Sequence, residues 1–389
     1  MEYDFETWQN RASQGSAKWN AMLELKPDVS PDTVPLSVAD MEFLLAPEIR
    51  DGLCEHLGTA VLGYTQPTPY YFECIQQWLA RRQDLQIETE WIVPTPGVVN
   101  GIGLALTACT NPGDGIIVMT PVYYPFYKLI EYTGRRQISL PLTDTDGYYT
   151  IDVQKLDELA SDAAAILLCS PHNPVGRVWT KQELEDIGEI ASKYGLLIIS
   201  DEIHGDLVMP GYRHIPFLNA CPDMKERTVL FTAPSKTFNL AGMQASSAII
   251  PNKELRAAFE DAKMRSGQFA LNALAYTSTE LAYTRCDGWY KEMIEVIDGN
   301  RQLAIDFIQR EIPQAVVSPL QGTYLLWVDL RYLGLDPTEL EKRMIAQDLF
   351  FDEGYVFGNE GAGFERINLA VPRAVLVSAL DRLKAAVDQ

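Results

Sequence analysis

Basic residues are scarce in this sequence. Its 389 residues include 32 Lys and Arg against 53 Asp and Glu, which gives a formal net charge of −21. Proteins that bind nucleic acids neutralise phosphates with Lys and Arg, so this balance argues against a DNA or RNA partner. It does not exclude a small anionic substrate, because a local positive site can exist in a negative molecule.

Cysteines and long apolar runs are also few. The six Cys residues are scattered without a CxxC pair, which favours reduced core residues over a disulfide framework or a metal site. The longest charge-free run, 91–113, is interrupted by prolines and makes a poor membrane span. The N-terminus lacks the basic and apolar regions of a signal peptide. We therefore expect a cytoplasmic protein without metal or membrane contact.

Short apolar runs alternate with amphipathic segments in the middle of the chain. Thr180 and Glu183 have the spacing of a capping box, and the helix that follows is expected to end at Gly195. Alternation of strands and helices predicts a parallel sheet covered on both faces. The runs that predict buried strands are 116–119, 164–169, 196–200, 229–232 and 245–250.

The last hundred residues differ from the middle of the chain. We interpret them as a smaller α/β unit that packs with the first 40 residues, unless those lie across a dimer interface. The predicted domains are a large one over 45–285 and a small one made of 1–44 and 286–389. The predicted C-terminal elements are helices over about 290–310 and 337–348 and strands over 323–328 and 366–369.

Several well-known catalytic motifs are absent. The sequence has no P-loop, no HExxH and no GxSxG. Gly101 and Gly103 begin a dinucleotide fingerprint, but the third glycine is missing, which favours a helix at this position.

Polar residues follow three of the predicted strands instead. Asn173 follows the first, Asp201 and His204 follow the second, and Lys236 follows the third. Because open α/β sheets bind ligands at the carboxyl ends of their strands, we expect these side chains to converge. Each one alone has an ordinary explanation, such as a turn lysine, a helix cap or a core histidine. The combination is what indicates chemistry.

This combination matches the needs of pyridoxal 5'-phosphate (PLP) catalysis. Lys236 offers an amine that can attach covalently to an aldehyde. Asp201 offers a carboxylate that can keep a pyridine nitrogen protonated, so that the ring accepts electrons. The run 95–100 opens an apolar helix at Gly97, and the free N–H groups of a helix N-terminus suit a phosphate.

Three motifs carry a resemblance to a known family. They are Ser-Pro-His-Asn-Pro-Val-Gly from Ser170, Ser-Asp-Glu-Ile-His from Ser200 and Ala-Pro-Ser-Lys-Thr-Phe-Asn-Leu-Ala-Gly from Ala233. On these motifs the chain resembles the fold-type I PLP enzymes of the class I/II aminotransferase group. The resemblance implies the PLP-dependent transferase fold, an α/β architecture with a mainly parallel sheet in the large domain and a smaller α/β domain.

Within that group the chain is most similar to the cystathionine β-lyase (C–S lyase) branch of the MalY/PatB type. The resemblance implies cleavage of cystathionine, or a related S-substituted L-cysteine, to a thiol such as homocysteine, pyruvate and ammonia. The runs that carry it are 38–41, 63–65, 121–126 and 363–373, and the whole resemblance covers about 18–373.

Two other functions remain open. An aminotransferase would share every step through removal of the α-proton, so the residues of the cofactor site do not separate it from a lyase. A non-catalytic regulatory protein on the same fold is the third hypothesis. The intact set of Lys236, Asp201 and Arg366 argues against this third hypothesis.

The resemblance implies a role for each site residue. Lys236 is the Schiff-base lysine and proton carrier, and Asp201 pairs with the pyridine nitrogen. Tyr123 stacks on the ring, with plain core packing as the alternative. Arg366 binds the substrate α-carboxylate, with a structural ion pair as the alternative.

Further contacts implied by the resemblance complete the site. Tyr64 reaches the phosphate of the neighbouring subunit, so the active unit is expected to be a homodimer acting on a small amino-acid substrate. The other implied contacts are Asn173 and His204 with the ring hydroxyl, Gly97, Val98, Val99 and Ser235 with the phosphate, and Ala39 and Asn173 with the substrate.

Two residues depart from the patterns of the group. Many aminotransferases have a phosphate-binding arginine eight residues after the lysine, where this chain has Gln244. The phosphate charge must then be met mainly by N–H groups and hydroxyls. The lyase branch often has Trp before the Val-Ala-Asp run, where this chain has Ser37. Because of Ser37, the sequence does not identify the side chain of the substrate.

Overall fold

A computed structural model describes residues 1–388. Its α-helices are α1 (Ala17–Leu25), α2 (Pro47–Thr59), α3 (Pro69–Gln83), α4 (Val98–Cys109), α5 (Pro125–Tyr132), α6 (Val153–Ala160), α7 (Lys181–Tyr194), α8 (Phe217–Ala220), α9 (Pro234–Thr237), α10 (Lys253–Arg265), α11 (Ala273–Arg285), α12 (Asp287–Glu311), α13 (Pro337–Ala346) and α14 (Arg373–Val387). Across these residues, no helix combines the length and apolar character needed to cross a membrane.

The strands form a large sheet, a small sheet and a separate pair, β4–β5. They are β1 (Ile92–Thr95), β2 (Gly115–Thr120), β3 (Arg136–Pro141), β4 (Thr143–Thr145), β5 (Tyr148–Thr150), β6 (Ala165–Cys169), β7 (Leu197–Asp201), β8 (Thr228–Thr232), β9 (Ser246–Ile249), β10 (Val316–Val317), β11 (Leu325–Asp329), β12 (Asp352–Glu353) and β13 (Phe364–Asn368). The five buried strands predicted in the middle of the sequence are confirmed as β2, β6, β7, β8 and β9.

The large sheet has the order β1-β9-β8-β7-β6-β2-β3 and is mainly parallel. The run 245–250 was predicted to be one of the parallel strands, and this prediction is wrong. The run forms β9, which pairs antiparallel with both β8 and β1. The reason is the connection over 233–245, which contains only the short α9 and a single 3-10 turn. Without a full crossover helix, the chain returns beside β8 in the opposite direction.

The inner strands of the large sheet are buried at every position and mostly apolar, whereas the edge strand β3 is partly exposed. In β2, Ile116 and Val118 face a core with α4, α5 and α10, whereas Ile117 and Met119 face a core with α6, α7 and α8. This alternation follows from the two-residue period of a strand. It explains why the strands read as continuous apolar runs.

The capping box predicted for α7 is confirmed. The Thr180 hydroxyl accepts from the Glu183 N–H at 3.2 Å, and the Glu183 carboxylate accepts from the Thr180 N–H at 2.8 Å. Gly195 closes the helix with a φ of 69°, a left-handed conformation that glycine adopts at little cost. Gly101 and Gly103 lie inside α4, as predicted.

The small sheet has the antiparallel order β10-β11-β13-β12 and packs with α12, α13 and α14. The N-terminal segment packs on this unit within the same chain: the Leu36 N–H donates to Phe350 at 2.9 Å, and the Asn368 N–H donates to Leu36 at 3.0 Å. The large sheet lies within 45–285 and the small sheet within 286–389. The exact domain boundaries stay a prediction.

Candidate active site

A cavity of about 540 Å³ lies at the edge of the large sheet where β2, β6, β7 and β8 end. The loops that follow these strands supply most of its wall. It is lined by ten of the predicted site residues, namely Ala39, Gly97, Val98, Val99, Tyr123, Asn173, Asp201, His204, Ser235 and Lys236. Gln244 lines it as well.

Lys236 sits in the one-turn helix α9 that follows β8. Its Nζ donates to the Ala39 carbonyl at 2.6 Å, and the Tyr324 hydroxyl donates to the same carbonyl at 2.9 Å. Burial lowers the pKa of Lys236 to about 8, because a charged amine is poorly solvated there. An amine with this pKa has a substantial neutral fraction near neutral pH and can take up a proton.

Asp201 is the last residue of β7. Burial raises the pKa of its carboxyl to about 7, although the Ile203 N–H donates to Oδ1 at 3.1 Å. The neighbouring Glu202 is held on the other side of the strand by Ser200 and His214, both at 2.8 Å. Asp201 is therefore the carboxyl available to the cavity, and the charge of Lys236 only partly offsets the effect of burial on its pKa.

His204 presents an unpartnered nitrogen at the cavity. The ring is buried, and within residues 1–388 its Nδ1 has no hydrogen-bond partner. Burial holds the pKa of His204 well below its ordinary value, so the ring is neutral. Buried polar atoms are seldom left unpaired, so a ligand oxygen or nitrogen is the expected partner.

The anion-binding end of the cavity is formed by the start of α4. Gly97 precedes the helix with a φ of 89°, and the first N–H groups of α4, from Val98 and Val99, have no acceptor within the helix. Gln244 Oε1 lies 3.2 Å from the point where a Cβ on Gly97 would sit. Among the lining residues in the described part of the chain, Lys236 is the only lysine or arginine. N–H groups and hydroxyls, including that of Ser235, must therefore meet a phosphate here.

Arg366 lies on β13 directly behind Asn173. Its Nη1 donates to Asn173 Oδ1 at 2.7 Å, and its Nη2 pairs with Asp352. The guanidinium is buried, with its carbon 4.5 Å from the centre of the Phe357 ring. Within residues 1–388, its Nε has no acceptor. Arg366 thus makes a structural ion pair and still has a free donor of the kind that binds carboxylates.

The tyrosines take different positions. Tyr123 lines the cavity, and its backbone N–H donates to Asn173 at 3.1 Å. Burial raises the pKa of Tyr123, so its hydroxyl stays protonated. Tyr64 is fully exposed in the segment between α2 and α3 and does not line the cavity of its own chain.

Three residues that the sequence motifs did not reveal support this site. Asp352 accepts from the Val38 N–H at 2.8 Å as well as from Arg366. Tyr324 holds the carbonyl that receives Lys236. Lys18 is buried and pairs with Asp40 at 2.7 Å. Asp352 lies on a strand of two residues, which is too short for any sequence periodicity to reveal.

The donor set of the cavity fits PLP. An amine of lowered pKa, a buried carboxyl of raised pKa, an unpartnered imidazole nitrogen and a helix N-terminus converge on one space. These groups match an aldehyde, a pyridine nitrogen, a ring oxygen and a phosphate in that order. The structure thus brings together, around one cavity, residues from four sequence motifs: the run 95–100 and the motifs that begin at Ser170, Ser200 and Ala233.

The chain is similar over most of its length to several known proteins. Cystathionine beta-lyase PatB of Bacillus subtilis is 37% identical over 98% of this chain and 99% of its own length. Protein MalY of Escherichia coli is 32% identical over 89% of both chains. Cystalysin from Treponema denticola, whose crystal structure contains PLP, superimposes with a TM-score of 0.98 at 45% identity, covering 100% of this chain and 99% of that one.

The family itself is established by a second comparison. The model for aminotransferase class I and II matches residues 31–383, which is most of the chain and includes all the residues that line the cavity. The chain therefore belongs to the aminotransferase class I and II family.

Proposed function

We propose that this chain is a PLP-dependent carbon–sulfur β-lyase that cleaves cystathionine or another S-substituted L-cysteine. The observation that carries the proposal is the similarity over nearly the full length to a cystathionine β-lyase, together with a cavity whose donors fit PLP. The products are a thiol, pyruvate and ammonia. An aminotransferase would use the same groups, but relatives at 37% and 29% identity are named cystathionine beta-lyases, whereas an aspartate aminotransferase is 20% identical.

Each residue of the cavity has a task in this reaction. Bound PLP supplies an aldehyde that takes up the substrate amine and a ring that accepts the electron pair left at the α carbon. Asp201 holds the ring nitrogen in its protonated form. Tyr123 covers the ring, and His204 supplies a neutral nitrogen beside it. The N-terminus of α4 and the Ser235 hydroxyl hold the phosphate.

Lys236 and Arg366 act on the substrate. Arg366 binds the α-carboxylate, and its bond to Asn173 fixes the orientation of the guanidinium. Nζ of Lys236 accepts the α-proton, since a pKa of about 8 makes the neutral amine accessible near neutral pH. The thiolate then leaves from the β carbon.

The active unit in this proposal is a homodimer. Tyr64 is exposed together with its neighbours Val61 and Leu62, and an exposed apolar patch of this kind is typical of an interface. The resemblance implies that Tyr64 contacts the phosphate of the PLP bound in the partner subunit. The cytoplasmic location expected from the sequence stays a prediction.

Incubation with cystathionine in the absence of any keto acid tests the proposed function. We expect pyruvate and free thiol in equal amounts from the purified protein loaded with PLP. Lys236→Ala should abolish both products, whereas Lys155→Ala, at an exposed position on α6, should not. Turnover that requires an added keto acid and releases no thiol would establish an aminotransferase and overturn the lyase proposal.

A further inference from the structure

On the basis of the proposed lyase function, we propose that the site has a distal subsite for the sulfur substituent and prefers substituents that end in a cation, such as an ammonium group. The subsite is a second cavity of about 560 Å³, which we call the distal cavity. The residues of its wall that carry the inference are Ser37, Val38, Tyr124, Glu341, Asp352 and Glu353.

The distal cavity adjoins the active-site cavity along two segments. Val38 lines the distal cavity and Ala39, the next residue, lines the active-site cavity. Similarly, Tyr124 lines the distal cavity and Tyr123 lines the active-site cavity, and their ring centres are 5.6 Å apart. A substrate held by its carboxylate and amine therefore has the distal cavity as neighbouring space for its third substituent.

Asp352 connects the two cavities chemically. It lines the distal cavity and pairs with Arg366, the residue assigned to the substrate carboxylate. Its carboxylate also accepts from the Val38 N–H at 2.8 Å. The charge of Asp352 is thus already balanced by Arg366, so the charge of the distal cavity depends on its other acidic residues.

Ser37 gives the distal cavity room. Ser37 lines the distal cavity, and a larger side chain at this position would take up part of its space. The remaining wall is largely apolar and suits an aliphatic stem. Its apolar members include Met22, Leu349, Phe350 and Phe351.

Two glutamates of the distal cavity lie in a group of acids without a paired cation. Glu341 and Glu353 both line it, and Glu353 lies opposite Glu365 in the register of β12 and β13. Glu365 is fully buried, and neither of its carboxylate oxygens has a hydrogen-bond partner in residues 1–388. Burial raises the pKa of Glu353 to about 7 and raises the pKa of Glu365 well above its ordinary value, so a cation placed beside them would favour their ionised forms.

The groups around these acids do not supply that cation. Tyr355 donates its hydroxyl to Glu341 at 3.1 Å, which is a neutral contact. Lys128 is the only lysine or arginine of the lining in the described part of the chain, and its side chain is exposed. An ammonium group on the substrate, such as the one at the far end of cystathionine, would provide the missing charge.

Two synthetic substrates of equal length test this preference. S-(3-aminopropyl)-L-cysteine ends in an ammonium group, and S-butyl-L-cysteine ends in a methyl group. In each case water and the substrate give the thiol, pyruvate and ammonia, so pyruvate reports turnover of both. We expect kcat/KM to be about tenfold higher for the aminopropyl substrate. Calorimetric titration of the PLP-loaded Lys236→Ala protein should give the same order of affinities without turnover.

Variants that change charge or size test whether the acids of the distal cavity, rather than the net charge of the protein, cause the preference. Glu341→Gln and Glu353→Gln should each bring the ratio of the two kcat/KM values towards one. Glu339→Gln removes the same charge from α13 outside the distal cavity and should leave the ratio unchanged. Ser37→Trp should lower kcat/KM for S-butyl-L-cysteine more than for S-methyl-L-cysteine.

The possible failures are distinguishable. Equal kcat/KM for the two probes, or a ratio that Glu341→Gln and Glu353→Gln both leave unchanged, overturns the distal subsite while the lyase function stands. Absence of pyruvate from every S-substituted cysteine, S-methyl-L-cysteine included, overturns the proposed function and the subsite together.

Discussion

Arg366 donates to the side-chain oxygen of Asn173 at 2.7 Å, across a sequence separation of 193 residues. This bond joins the small sheet to the edge of the large sheet, since Arg366 lies on β13 and Asn173 follows β6. The arginine that we propose binds the substrate is therefore oriented by a residue that lines the cavity. The bond fixes the position of Arg366 on the small sheet relative to the loop that follows β6 in the large sheet.

Truncation of Arg366 should act on substrate binding. We expect Arg366→Ala to raise KM about 100-fold, because a buried donor to the carboxylate is lost. Arg366→Lys keeps the charge but lacks the planar guanidinium group, so its KM should lie between those of the wild type and Arg366→Ala. Steady-state kinetics with cystathionine measure both effects. Arg310→Ala, exposed on α12, is the control, and an unchanged KM in both Arg366 variants would contradict the assignment.

Asp201 should make the stability of the cofactor-free protein depend on pH. Its pKa rises from 3.8 to about 7 on folding, so between these values the folded state binds more protons than the unfolded state. Stability then falls as pH rises from about 4 to 7, by on the order of 2–4 kcal/mol. Asp201→Asn should remove this loss in urea unfolding at pH 5 and pH 8. The exposed control Asp306→Asn should retain it, and parallel curves for Asp201→Asn and wild type would refute the prediction.

Gly97→Ala should weaken the binding of PLP. The φ of 89° is unfavourable for alanine, and the new Cβ would lie 3.2 Å from Gln244 Oε1. We expect the Kd for PLP to rise about tenfold, equivalent to ~1.4 kcal/mol. Gly113 has the same φ of 89° but nothing within 4 Å of its Cβ position. Gly113→Ala should therefore destabilise the fold similarly in thermal unfolding without changing the Kd.

Tyr64→Phe should also raise the Kd for PLP, by several-fold, because a hydrogen bond to a charged phosphate is lost. The fold of each chain should be unaffected, since Tyr64 is exposed. Light scattering should give a dimer for both proteins. Tyr132→Phe, at another exposed tyrosine on α5, is the control. A monomeric wild type with full PLP affinity would exclude a role for Tyr64 across subunits.

The sequence predicted the parts of the site that depend on local pattern. Asp201 and Lys236 follow apolar strands, and the carboxyl ends of such strands meet at one edge, so their convergence could be predicted. Asp352 and Tyr324 could not, because their contacts with Val38 and Ala39 join segments almost 300 residues apart or more. No local periodicity carries that information.

The direction of β9 was the main error of the sequence interpretation. The run 245–250 has the same apolar character as the parallel strands, and periodicity alone does not give strand direction. The informative signal was the connection over 233–245, which has no amphipathic helix long enough to cross the sheet.

The reversed strand β9 also has a consequence for folding. It pairs Thr95 with Ser246, and their hydroxyls are 2.7 Å apart across 151 residues of chain. Closing so large a loop is entropically slow. We therefore expect the turn at Gly97 and the turn that carries Lys236 to come together only after the intervening strands have assembled. Recovery of PLP binding during refolding should thus lag behind recovery of helical signal, and the cofactor would act as a probe for completion of the large sheet.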